Sequence, residues 1–151
     1  MTPLRSGPDK GRVAMRGIRL GAWLAMACAC EVRERVLEED AESVASASAE
    51  AEAASERLVT AGRAAIPAIE TALYAARIEG RLDLIVALRR IGDGEAIPLL
   101  LHRARLDEDE RVRKEAEWTL RGWAGGKDER AVRARRALRA LEETRADEKP
   151  G

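Results

Sequence analysis

The sequence predicts an all-α fold, and three observations carry that prediction. Alanine, leucine, glutamate and arginine dominate the chain, and all four favour helices. Asparagine, glutamine and phenylalanine are absent, and no run of β-branched residues indicates a strand. Between about Ala51 and Glu143, apolar residues recur every three or four positions, which is the spacing of one helix face. At 151 residues, one folded domain is the default expectation.

The first 30 residues have the pattern of an export signal. Met1–Ala14 is basic, contains proline and glycine and has no periodicity, so we expect it to be disordered. Arg16 and Arg19 then precede an apolar run over residues 20–30 that ends in small residues, which is typical of a secretory signal peptide. The run is too short to span a bilayer comfortably. A buried or interfacial helix is the alternative, and a start at Met15 would give a compact signal.

Two cysteines close this apolar run. The segment Leu24-Ala25-Met26-Ala27 before Cys28 resembles a bacterial lipoprotein cleavage site, and the resemblance implies that Cys28 or Cys30 carries a lipid anchor. Ordinary signal cleavage near these residues stays open, as does a role as small apolar residues of the run. One Cys-x-Cys pair and a distant His102 fall short of a zinc ligand set, so no metal is expected.

Residues 31–50 form an acidic stretch rich in alanine and serine. The wider stretch 31–56 carries nine acidic residues against Arg33 and Arg35, with almost no bulky apolar residue after Val44. A helix there would have no apolar face to bury. Two interpretations stay open, a solvated helical stalk and a flexible acidic spacer. Either one would hold the following domain away from a membrane.

The central stretch, Leu82–Ala116, predicts two helices joined by a tight turn. Gly92-Asp93-Gly94 ends the first helix, because glycine supplies a positive φ and aspartate tolerates turns. Pro98 begins the second helix, where its missing N–H would have no partner anyway. The short linker favours antiparallel packing of the two helices. The predicted inner positions are Leu84, Ile85, Leu88 and Ile91 in the first helix, and Ile97, Leu100, Leu101 and Ala104 in the second.

Further helices precede and follow this unit. One begins at about Ala51 and ends at Gly62, and the next closes at Gly80. A helix after the acidic turn precedes Gly125-Gly126, and a last helix runs to about Glu143, after which residues 144–151 are expected to fray. The predicted inner positions, helix by helix, are Ala54, Leu58 and Ala61; Ile66, Ile69, Leu73 and Ala76; Val112, Ala116, Leu120 and Trp123; and Ala131, Ala134, Leu138 and Leu141.

A repeated motif runs through these helices. Gly92-Asp93-x-x-Ala96-Ile97-Pro98-x-Leu100, then Asp107 and Val112-Arg113-x-x-Ala116-x-x-x-Leu120, resembles a HEAT-like repeat of the short bacterial kind, also found in phycobilin-lyase-type proteins. Gly62-Arg63-x-x-Ile66-Pro67-x-Ile69 echoes it, and Leu120–Gly126 with Ala131-Val132 is a weaker echo. The resemblance covers residues 51–143. It implies a short right-handed α-solenoid of about three helix pairs with atypical end repeats.

The residues suited to catalysis do not form a catalytic pattern. His102 is the single histidine, so a Ser–His or Cys–His pair has no base elsewhere. The carboxylates of Asp107–Glu110, and of Glu115 and Glu117, fall on predicted turns and helix surfaces without a pocket to shift a pKa. The glycine turns lack the preceding strand and following Lys-Ser/Thr of a phosphate loop. We expect no enzyme and no cofactor.

Exposed helix faces are expected to bind a partner protein. Trp118 falls off the apolar stripe of its helix, so it either meets the last helix or is an exposed anchor for a partner. His102, Arg103 and Arg105 offer a second set of side chains. The last helix is rich in arginine on all sides and has acids to match, which indicates a salt-bridged surface and no nucleic-acid binding. The arginines are Arg130, Arg133, Arg135, Arg136 and Arg139.

These observations predict a non-catalytic scaffold or adaptor displayed at a bacterial cell envelope. Its membrane contact would come through the N-terminal segment or a lipid, and its partner would be a protein. Two alternatives stay open. One is a lyase-like or enzyme accessory protein, which the resemblance implies because some proteins with such repeats act on tetrapyrrole attachment. The other is a cytoplasmic helical repeat protein that binds nucleic acid.

Overall fold

A computed structural model describes the backbone of residues 15–147 and the side chains of residues 30–147. This part of the chain is helical and contains no strand, which confirms the predicted all-α class. The expectations for residues 1–14 and 148–151 lie outside the described residues. The helices are α1 (Met15–Ala45), α2 (Ala51–Ala61), α3 (Ile66–Ala75), α4 (Ile78–Ile91), α5 (Ile97–Leu106), α6 (Glu110–Ala124) and α7 (Glu129–Asp147), with short 3-10 turns at Gly62–Ala65 and Gly94–Ala96.

The chain divides into two units, residues 1–35 and 36–151. The described part of the first unit is the beginning of α1, where Cys30 is an exposed free cysteine and Val32 is exposed. The side chain of Cys28 lies outside the described residues. Among residues 15–147, the structure has no helix that is both long and apolar enough to cross a bilayer.

A single hydrophobic core joins the helices of the second unit. It buries most of the inner positions that periodicity predicts, including Trp123 near the end of α6. Ala61, Ile91, Leu101 and Leu138 are only partly buried at its edge. The largest fully buried apolar side chains come from all seven described helices and are Val44, Leu58, Ile69, Leu73, Leu84, Ile85, Leu88, Leu100, Val112, Leu120 and Leu141.

Several helix contacts in the second unit join every second helix of the chain. α4 packs against both α2 and α6, and α5 packs against α7. Further contacts join α3 to α4, α5 to α6 and α6 to α7. The most extensive contact of α5 is with α6, across the acidic turn, although the sequence predicts an α4–α5 pair across the Gly92 turn. The contact between α6 and α7 is almost as extensive.

The folded core begins earlier than the predicted boundary at Ala51. Leu37, Ala41 and Val44 lie on one face of α1 and are buried in the core, within the stretch that sequence analysis assigns to an acidic spacer. Asp40 on the same helix is also buried, and its Oδ1 lies 2.6 Å from Nη2 of Arg57 on α2. The buried side of α1 is short and includes an alanine. The composition of the stretch therefore does not indicate an apolar face that could be buried.

Glycines end two helices as predicted, but a third does not. Gly62 and Gly92 follow α2 and α4 with φ of +62° and +68°, a region that favours glycine. Gly80 lies inside α4, although it is predicted to close the preceding helix; α3 ends at Ala75 instead. A Cβ on Gly80 would lie 2.0 Å from the carbonyl oxygen of Ala45. Glycine is therefore needed there because the end of α1 touches the backbone of α4.

Candidate functional site

The most exposed indole among the described side chains belongs to Trp118 on α6. It is 59% exposed, and the guanidinium carbon of Arg89 on α4 lies 4.5 Å from the centre of its ring. Such stacking of a cation on an aromatic face is attractive and limits ring motion. The ring is therefore not buried against the last helix, which is one of the two interpretations that the sequence leaves open. We define the Trp118 patch as Trp118 with Arg89, Arg111, Lys114 and Arg121.

Positive groups form the outer layer of the Trp118 patch. Arg111, Lys114 and Arg121 are exposed, whereas Glu115 and Glu117 are partly buried beside them. Arg89 pairs with Glu115, and an oxygen of Glu117 lies 2.6 Å from Nη2 of Arg121. The acids thus pair with the charged ends of the cationic side chains, as Glu110 also does with Nζ of Lys114 at 2.7 Å. A partner would meet an indole surrounded by ion pairs.

Glu117 also links α6 to α7. Nη2 of Arg145 donates a hydrogen bond to Oε2 of Glu117 over 2.8 Å. This bond, together with the bond from Arg121, holds the pKa of Glu117 below its usual range, against the effect of burial, which raises it. The carboxylate therefore stabilises the packing of α7 behind the Trp118 patch.

This linkage predicts a pH-dependent effect of Glu117→Gln. Because the folded-state pKa is lower than the unfolded one, the charged carboxylate stabilises the fold above the unfolded pKa, and its contribution is lost as pH falls through the folded pKa. At neutral pH the substitution should lower the free energy of unfolding by up to about 1 kcal/mol, as for a partly exposed ion pair. In strong acid it should have almost no effect. Urea denaturation of both proteins measures this, and an equal loss at both pH values would contradict it.

The residues of the second predicted binding set do not share one exposed side of α5. His102 and Arg105 are exposed, but Arg103 is 7% exposed and does not offer a side chain to a partner. Its guanidinium carbon lies 4.7 Å from the centre of the Tyr74 ring, which covers it from α3. Tyr74 itself is 66% exposed and was not singled out from the sequence. The expectation for Arg103 is thus corrected, because its cation is used inside the fold.

Arg103 belongs to a buried charge cluster. Asp107 Oδ2 lies 3.6 Å from Nη1 of Arg103, and Asp107 Oδ1 lies 3.4 Å from Nη2 of Arg81. Arg81 also reaches Glu108 at 3.0 Å and donates to the carbonyl oxygen of Ala76. The cluster joins the α3–α4 connection to the α5–α6 turn. The available sequence signal was the i, i+4 spacing of Arg103 and Asp107.

The acidic turn acts as a helix cap. The side chain of Asp109 accepts hydrogen bonds from the backbone N–H groups of Arg111 and Val112 at the start of α6, and Asp107 accepts one from Asp109. Such capping satisfies donors that have no partner within the helix. Among the side chains that the structure describes, no three histidine, cysteine, aspartate or glutamate residues are grouped as metal ligands.

Two arginine side chains of α7 donate hydrogen bonds to backbone carbonyl oxygens, and a third forms an ion pair. Arg130 donates to the carbonyl oxygen of Gly92 over 2.6 Å, and Arg135 donates to those of Ala124 and Gly126. Arg133 forms an ion pair with Glu95. These three side chains join turns of the second unit, in agreement with the predicted salt-bridged surface.

Comparison with known proteins found no matching family, no matching curated protein and no matching solved structure. Function is therefore inferred from the placement of the predicted residues. Trp118 is exposed on α6 and His102 and Arg105 are exposed on α5, so the structure does not place all of them on one helix. Cys30 is exposed on α1.

Proposed function

We propose that this chain is a non-catalytic protein-binding scaffold, built as a short right-handed α-solenoid of HEAT-like repeats, which presents the Trp118 patch to a partner protein. The alternating helix contacts support the solenoid. The even-numbered helices α2, α4 and α6 contact one another in sequence, and α5 contacts α7. Contacts between every second helix are typical of stacked helix pairs, in which each repeat buries its apolar face against its neighbours.

Two copies of the motif place similar elements in the same order, which supports the repeat interpretation. In each copy a glycine with positive φ follows a helix, a short 3-10 turn begins at or just after it, and an Ile-Pro pair begins the following helix. The pairs are Ile66-Pro67 at the start of α3 and Ile97-Pro98 at the start of α5. The Ile-Pro pairs thus begin helices 31 positions apart, and the two glycines lie 30 positions apart.

The exposed indole of Trp118 is the observation that carries the binding proposal. Its large apolar surface faces solvent, and Arg89 holds the ring in place. A rigid aromatic side chain loses little conformational entropy when a partner covers it, and tryptophan is enriched among residues that dominate binding energy. The partner would cover the indole and the stems of the neighbouring cations.

Replacing Trp118 with alanine should weaken partner binding by about tenfold or more, as for a central contact residue of an interface. Because the ring is exposed, the free energy of unfolding should change by no more than about 0.5 kcal/mol. The measurement is quantitative capture of partner proteins from the native host on immobilised chain. Tyr74→Ala, at another exposed aromatic ring on α3, serves as the matched control. Equal capture by wild-type and Trp118→Ala chains would contradict the proposed site.

We also propose display at a bacterial cell envelope. The basic residues and apolar run over residues 16–30, with exposed Cys30 near its end, support this location. Mass spectrometry of the chain recovered from its host is expected to give an N-terminus near Cys28 or Cys30, with the mass of attached lipid if the cysteine is an anchor. A cytosolic protein that retains Met1 would contradict it.

A further inference from the structure

One edge of the Arg103 guanidinium is buried without a hydrogen-bond partner. Nε and Nη2 form this edge, both are closed to solvent, and neither has an acceptor within the part of the chain that the structure describes. The remaining nitrogen, Nη1, lies 3.6 Å from Oδ2 of Asp107, which is longer than a good hydrogen bond. Arg103 as a whole is only 7% exposed. A charged group with five N–H donors is therefore poorly satisfied inside the fold.

The buried charges around this edge do not balance. Arg81 and Arg103 are two buried cations, and Asp107 is the buried carboxylate that lies between them. Nε of Arg81 is a further buried donor that has no acceptor among residues 30–147. Glu108 pairs with Arg81, but its side chain is 81% exposed, so solvent screens much of its charge. Two buried cations against one buried anion leave one positive charge in excess.

Unmet donors of this kind indicate a missing anion. A buried charged donor without an acceptor is costly, and each one in a folded protein calls for an explanation such as a bound ion. Arg57 shows what the same edge holds elsewhere in this chain, because its Nε and Nη2 lie 2.9 Å and 2.6 Å from Oδ1 of Asp40. A carboxylate fits the fork of an arginine and carries one negative charge, which equals the excess. A phosphate carries more charge at neutral pH.

Tyr74 is the movable cover over this guanidinium. The centre of its ring lies 4.7 Å from Cζ of Arg103, yet the residue is 66% exposed. It belongs to the last turn of α3. Because most of the ring faces solvent, turning it away from Arg103 gives up little beyond the cation–π contact, which is weak at exposed sites. A small anion then reaches a guanidinium that is closed to a partner protein.

We propose that the second unit binds a small organic carboxylate at the Nε–Nη2 edge of Arg103, with Tyr74 as the gate of the site. The two oxygens accept hydrogen bonds from Nε and Nη2, and the anion balances the excess charge that Arg81 and Arg103 leave beside Asp107. The site lies between α3 and α5, whereas the Trp118 patch lies on α4 and α6. It therefore does not depend on the proposed partner binding.

NMR of the arginine side chains tests the site, with acetate as the probe. Sodium acetate replaces sodium chloride at constant ionic strength in a titration of the full chain. The Nε–H signal of Arg103, identified by its loss in Arg103→Lys, should shift along a saturating curve. Arg105→Lys is the matched control, because it makes the same change at an exposed position of the same helix, and it should leave the curve unchanged.

Two variants examine the fork and the gate. Acetate should raise the melting temperature of the wild type but not of Arg103→Lys, because an ammonium group lacks the two-pronged edge. Tyr74→Ala should tighten acetate binding about two- to fivefold, the value of an exposed cation–π contact. Circular dichroism checks that both variants stay helical, and if Arg103→Lys does not fold, the result for Tyr74→Ala decides.

Four results would each overturn the proposal. The first is an Arg103 Nε–H signal that ignores acetate or follows it without saturation. The second is a folded Arg103→Lys protein that acetate stabilises as much as the wild type. The third is tighter binding of phosphate than of acetate, and the fourth is weaker acetate binding by Tyr74→Ala.

Discussion

Gly80→Ala is expected to destabilise the fold by about 3 kcal/mol, although glycine to alanine inside a helix normally stabilises by up to about 1 kcal/mol. The new Cβ would lie 2.0 Å from the carbonyl oxygen of Ala45, 2.6 Å from its carbonyl carbon and 2.8 Å from its Cα. All three are backbone atoms, so no side-chain rotation relieves the clash. The end of α1 would have to move away from α4 and open the core around Val44.

Gly122→Ala is the matched control, because Gly122 lies inside α6 with no atom within 4 Å of the added Cβ. This substitution should stabilise the protein through helix propensity alone. Urea denaturation of wild type and both variants measures the two effects, and they should have opposite signs. Stabilisation by Gly80→Ala would mean that α1 does not rest on α4.

Asp107→Ala is expected to lower the free energy of unfolding by about 3 to 5 kcal/mol, the range for removing one partner of a buried ion pair. Arg81 and Arg103 are both buried, and Asp107 is the buried carboxylate that lies between them. Without it, two guanidinium groups would remain in a poorly solvated region, and only Arg81 would keep a described carboxylate beside it, that of Glu108. The turn before α6 would also lose the hydrogen bond from the N–H of Asp109.

Two further variants separate these contributions. Asp107→Asn keeps an oxygen that can accept from the N–H of Asp109 but removes the charge, so a large loss in this variant identifies the charge as the cause. Glu108→Ala removes a carboxylate whose side chain is 81% exposed and should cost less than about 1 kcal/mol. Chemical denaturation gives all three values. A similar, small loss for Asp107→Ala and Glu108→Ala would contradict the buried cluster.

Local signals explain the part of the fold that could be predicted from sequence. Gly62 and Gly92 end helices through their own backbone freedom, and Pro67 and Pro98 begin helices because each lacks an N–H. The apolar stripes likewise follow from helical period. These features depend on neighbours within a few positions, and so the sequence shows them directly.

Features that depend on distant contacts were missed. Gly80 resembles a helix stop in sequence, but its role is set by the approach of Ala45, which is 35 positions away. The burial of Leu37 and Val44 depends on helices that follow much later in the chain. A short stripe rich in alanine gives too weak a periodic signal to distinguish a packed helix from a solvated one.

The candidate site likewise combines a feature that the sequence shows locally with contacts that depend on helix packing. The position of Trp118 off the apolar stripe can be read from the sequence, since the stripe is a property of α6 alone. Its stacking with Arg89 and the cover that Tyr74 places over Arg103 need the packing of two helices, and no local pattern encodes them. Arginine is equally compatible with a surface and with a buried pair, so its residue type did not distinguish the two.

In the proposed scaffold, helical hairpins stack on one another and α4 lies between α2 and α6. Methyl nuclear Overhauser effects test this arrangement, because leucine, isoleucine and valine methyl groups line the core of all three helices. A stacked scaffold predicts cross-peaks from methyl groups of α4 to those of α2 and also to those of α6. Cross-peaks from α4 that reach neither helix, or only one of them, would contradict the stack.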